Sequence, residues 1–196
     1  MKNKKLNKYF NEIVNEYISY CGENNRKAIE ERANRIKIVI SNDDKFGEEP
    51  CCVKKGKYTY LVCNNKMFEH ESGNVLFAHL LVHALGEESF VVDGKVCFNE
   101  TMVDYIANDF CKRLEEKDIN ITFNDYPNYK SKSLYSRAFG FVEKFFRENK
   151  QQVLDSRLSS NFKIGNNIKS AIYKLEETFE KIYDKTNTIE TSLNTR

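Results

Sequence analysis

The sequence has no apolar run approaching the ~18 residues that a membrane-spanning helix needs, so no membrane partner is expected. Lys2, Lys4, Lys5 and Lys8 are not followed by an apolar core, so no secretory signal is predicted. Thirty-one basic against 29 acidic residues leave a net charge of +2, too balanced to argue for nucleic acid. No C-x-x-C pair occurs among the six cysteines (21, 51, 52, 63, 97, 111), and Cys51 and Cys52 are adjacent, which argues against a cysteine zinc site. Without a secretory signal, free thiols and a cytoplasmic location are the expectation. Neither an internal repeat nor a low-complexity linker divides the 196 residues, so one domain is expected over 1–186. It would have an α/β part over 1–125 and a helical part over 126–186, followed by a flexible tail over 187–196.

Histidine is scarcer still. Only three occur, all between positions 70 and 83, and two of them interrupt the most apolar stretch of the chain, NVLFAHLLVHALG over 74–86. At about 100° per residue, Val75, Leu76, Phe77, Ala78, Leu80, Leu81, Val82, Ala84 and Leu85 cover every side of a helix, which predicts burial all round. His79 and His83 are i and i+4 and share one face, with Cβ atoms roughly 5–6 Å apart. Paired imidazoles on one face of a buried helix can supply two nitrogen ligands to Zn²⁺. The alternative is two core histidines, each satisfied by a hydrogen bond. Gly86 would end the helix as its C-cap.

Around this helix the pattern alternates between periods. Leu6, Phe10, Ile13, Val14, Tyr17 and Ile18 predict an amphipathic helix over 5–20, and a more polar one follows over 26–34. Ile36, Ile38 and Ile40 alternate as in a strand that stops at 41–44. Gly47 and Pro50 mark a loop, and 57–63, KYTYLVC, reads as a second strand. Phe90 to Phe98 predicts a hairpin about Asp93-Gly94. A helix over 99–117 carries a stripe of Val103, Ile106, Ala107, Phe110 and Leu114. Glu100 projects into that stripe and Asp104 onto its margin. An acid aimed at a core is costly unless something compensates it, and a metal would. Otherwise Glu100 merely opens the helix and favours its dipole. From Ser131 three helical stripes follow: Leu134 to Phe145, Val153 to Leu158, and Ile168 to Ile182. These helices are expected to form the second wall of the cleft.

HLLVHALG resembles the H-E-x-x-H helix of zinc metallopeptidases, in the HELLHALG form of bacterial zincins. NETMVDYIA, beginning 16 residues after His83, is similar to the N-E-x-x-x-D/E segment of gluzincins. Together these segments span 74 to about 107. The resemblance implies that His79, His83 and Glu100 hold the zinc and that Asp104 orients a ligand histidine from behind. It also implies that strand 57–63 is an edge strand on which extended substrate pairs. The family has Glu after the first histidine as general base. This chain has Leu80.

The sequence therefore predicts an α+β zincin-like domain with a small sheet, a buried metal-binding helix and a helical C-terminal part. The function implied is that of a metallopeptidase homologue that binds a peptide or protein in its cleft and hydrolyses it weakly or not at all. Two alternatives stand beside it: an active zinc peptidase using another base, and a metal-free helical interaction protein. His70 is a second-choice third ligand in a polar Glu69-His-Glu71 context. Glu87 and Glu88 are outside candidates for a ligand or displaced base. No histidine follows His83, so the oxyanion stabiliser would have to be a tyrosine such as Tyr126, Tyr129 or Tyr135.

Overall fold

The computed structural model describes residues 2–41, 50–69, 73–86, 90–92, 95–97, 99–120 and 139–158, some by backbone alone. His70, Glu87, Glu88, Tyr126, Tyr129, Tyr135, the 168–182 stripe and the 187–196 tail lie outside them. The architecture is α+β. Helices α1 (Lys2–Cys21) and α2 (Arg26–Ala33) precede strand β1 (Ile36–Ser41). Strands β2 (Cys51–Lys55) and β3 (Tyr58–Asn64) follow, then a short α3 (Asn65–Glu69) and α4 (Gly73–Leu85). A small hairpin, β4 (Phe90–Val92) and β5 (Lys95–Cys97), leads to α5 (Asn99–Glu116), and α6 spans Phe139–Leu158. No helix among the described residues is long and apolar enough to cross a membrane.

The three-stranded sheet has the order β1-β3-β2, with β1 parallel and β2 antiparallel to β3. Ile36, Ile38 and Ile40 pair with Thr59, Leu61 and Cys63, so the alternation of β1 matches the buried face of β3. Strand 57–63 was expected at the edge, but β3 is the central strand. The edge beside α4 is β2, in a stretch expected to be loop. Gly56 and Lys57 form the two-residue turn joining them, with Gly56 at φ 61. A positive φ at the first turn position suits a type II′ hairpin, and glycine adopts it without strain.

Helices cover one face of the sheet. Ile13, Tyr17 and Ile18 of α1 are buried together with Met102, Val103, Ile106 and Phe110 of α5. The Tyr17 and Phe110 rings meet edge to face, with centroids 5.1 Å apart. Helix α5 ends on a Schellman motif, in which Asp118 takes a left-handed φ of 54 and Ile119 N–H donates to Leu114 O at 2.9 Å. The break expected between the stripes Leu134–Phe145 and Val153–Leu158 is present within 139–158: Asn149 has non-helical φ −128 and ψ 17, so α6 consists of two helical segments meeting at a kink. It packs on α5 and α1 and reaches the C-terminal end of α4.

Two arginines tie that end down. Arg32 donates to Leu85 O at 2.7 Å and to Leu158 O at 3.1 Å, so one guanidinium caps the last carbonyls of both α4 and α6. Arg157, 2% exposed, lies against Gly86. A Cβ at Gly86 would come within 2.8 Å of Arg157 Nη2 and 2.9 Å of Val82 O. Glycine is required there by close approach. The left-handed backbone of a C-cap glycine is not observed.

Among the described side chains, Cys21, Cys51, Cys52, Cys63 and Cys111 are free thiols. Burial pushes Cys21 and Cys63 up to about 12 and Cys111 higher still. A raised value means that at pH 8 these three carry almost no reactive thiolate. A brief iodoacetamide pulse at pH 8, read by peptide mass spectrometry, should therefore label Cys51 and Cys52 well before Cys21, Cys63 and Cys111. All six thiols should titrate after unfolding without reductant. A count near zero would move the protein to an oxidising compartment.

Candidate metal centre

Helix α4 is buried on most sides, as its composition dictates, but not on all. Leu76 is 37% exposed, and His79 and His83 are half-buried. Positions 76, 79 and 83 make one stripe, i, i+3 and i+7, and its two histidines face an opening. The opening is a cavity of about 410 Å³ lined by His79, Leu80 and His83 on one side and by Pro50, Cys51, Cys52 and Lys54 on the other. The C-terminal helices were expected to supply the second wall. Among the described residues the edge strand β2 supplies it, because β2 runs alongside α4.

The two imidazoles converge. His83 Nε2 lies 3.1 Å from His79 Nε2, and the ring centroids are 4.8 Å apart. Behind them, His79 Nδ1 lies 2.7 Å from Asp104 Oδ1. A carboxylate only accepts, so Nδ1–H is the donor. In the neutral ring Nε2 then bears the lone pair, aimed at His83. Asp104 is 5% exposed, and its Oδ2 has no hydrogen-bond partner among the described residues. A second contact joins the start of α4 to the residues just past α5: Asn74 Nδ2 donates to Asn120 Oδ1 at 3.0 Å. Glu100 stands one turn before Asp104 on α5.

These atoms fit a zinc ion. Two Zn–N bonds of about 2.0–2.1 Å at a tetrahedral angle place the nitrogens ~3.3 Å apart, close to the 3.1 Å observed. A histidine ligand whose other nitrogen donates to a carboxylate is the usual arrangement behind a metal. No group of three or more His, Cys, Asp or Glu side chains converges among the described residues. The side chain of Glu100 is not among these.

No protein-family model, curated protein or solved structure matches the chain. The likeness to zincins therefore stands on the motif residues themselves.

The structure brings together His79, Leu80, His83 and Asp104 from the residues singled out in the sequence. It adds Cys52 and Lys54, which share one face of β2 because they are i and i+2. The turn signal Gly56-Lys57 was the available pointer to that strand, since a Gly-X pair between two runs implies pairing on both sides.

Proposed function

We propose that the protein is a zinc-binding homologue of gluzincin peptidases that holds a peptide or protein in the cleft between α4 and β2 and cleaves it weakly or not at all. The observation that carries this reading is the convergence of the two Nε2 atoms, with the buried Asp104 carboxylate fixing the tautomer of one of them. His79 and His83 would hold the ion with Glu100 from α5. Zinc there would supply Lewis-acid polarisation of a bound carbonyl. Leu80 lines the same cavity, so the place of a general base is occupied by a side chain that cannot take a proton. Glu87 or Glu88 is the first substitute base to consider if hydrolysis does occur.

One observation favours a second reading. A His83 Nε2–H donating to the His79 lone pair would also produce a 3.1 Å contact, so the pair could be satisfied without metal in a helical interaction protein. Metal content separates the two. Purified wild type should carry about one zinc per chain, and His83→Ala and Glu100→Ala should carry much less. Equal zinc in wild type and His83→Ala, or none in either, would exclude the site.

A further inference from the structure

Beside the His cavity lies a second one, of about 220 Å³, whose lining includes Arg32, Arg35, Lys54, Lys57, Thr59 and Gly86. Four of these are cations, and no Asp or Glu among the described residues lines it. They come from separate parts of the fold: Arg32 and Arg35 from either side of the C-terminus of α2, Lys54 from β2, and Lys57 from the β2–β3 turn. A solvated helix face would not gather charges from three elements around one hollow. Arg32 is held in place by the carbonyls of Leu85 and Leu158, so it contributes fixed positive charge. Arg35 and Lys57 are exposed at the rim, where an entering anion would meet them first. Like charges gathered around one concavity raise the local concentration of an anion.

The two cavities are continuous in sequence along the edge strand. Lys54 lines both, while Cys52 lines the His cavity and Gly56 the basic one. Two residues of strand advance ~7 Å. A peptide extended beside β2 would therefore reach the basic cavity two to four residues from the one opposite His79 and His83.

We infer that the basic cavity is a specificity subsite for an acidic side chain of the bound peptide, so that the ligand is an extended peptide with Asp or Glu two to four residues from the His pair. This rests on the peptide-binding reading of the His cavity. The test is to pan a library of random-sequence decapeptides over the full-length protein and sequence what is retained. Wild type, Arg35→Glu/Lys57→Glu and Arg35→Gln/Lys57→Gln are compared, with zinc measured in each. Both substituted positions are exposed, so folding should survive, and a thermal melt confirms it. Wild type should enrich an acidic residue about fivefold or more at one position, as expected of a few favourable ion pairs. The neutral double variant should lose that enrichment, and the charge-reversed one should favour Lys or Arg instead. Zinc content should not change. Retained peptides without acidic preference, or the same preference in all three proteins, would overturn the subsite and leave the metal reading intact. Retention of no peptide by zinc-loaded wild type would overturn both the subsite and the peptide cleft. Acidic enrichment that depends on Arg35 and Lys57 in a protein lacking zinc would uphold the subsite and remove the metal.

Discussion

Leu80→Glu is expected to turn trace peptidase activity into a measurable one. Leu80 is 5% exposed and lines the cavity shared by His79 and His83. On the helix it projects about 100° from His79 and about 60° from His83, so a carboxylate there would stand next to the reacting centre and could accept its proton. General-base assistance is typically worth ~10²–10⁴-fold, and a gain in that range is the expected result on an unbiased peptide library. The new carboxylate is largely buried and will cost stability, so a thermal melt must accompany the assay. Leu80→Gln serves as the control, since it has the same shape and polarity but cannot hold the proton. If the unmodified protein already cleaves peptides at a rate that Leu80→Glu does not raise, the weak-hydrolysis reading is wrong. A base elsewhere would then carry the chemistry, with Glu87 and Glu88 the first to replace by glutamine.

The second large effect concerns Asp104. Its carboxylate is buried, with one oxygen on His79 and the other without a partner among the described residues. A half-satisfied buried acid is a poor stabiliser. It makes sense as a device that fixes the His79 ring and raises its basicity toward a metal. Removing such a supporting carboxylate typically costs ~10–100-fold in metal affinity. Asp104→Asn, which keeps the shape and a neutral acceptor for His79 Nδ1–H, is therefore expected to weaken zinc binding by about that factor while the melting temperature of the metal-free protein changes little. Competition with a chelator, and melts with and without metal, would read the two effects separately. Unchanged zinc affinity with a lower metal-free melting temperature would make Asp104 a structural partner of a core histidine.

Much of this site was legible in the sequence because helical periodicity places His79 and His83 on one face whatever the helix packs against. The same rule put Val103, Ile106, Ala107, Phe110 and Leu114 on the buried side of α5, where all five are found. Alternation likewise assigned Ile36, Ile38 and Ile40 to one face of β1. Periodicity says which side chains share a face; it is silent on which faces meet. Strand β2 escaped notice because Cys51-Cys-Val-Lys-Lys55 does not alternate apolar with polar, and an edge strand bonded on one side has little need to. That β2 and not β3 forms the cleft wall, that Arg32 and Arg157 meet at the end of α4, and that Gly86 is held small by Arg157 were decided by tertiary packing. So was the distance between the two Nε2 atoms. Ring orientation follows from the packing of α4 on α5, where a buried carboxylate on the second helix holds a ring on the first.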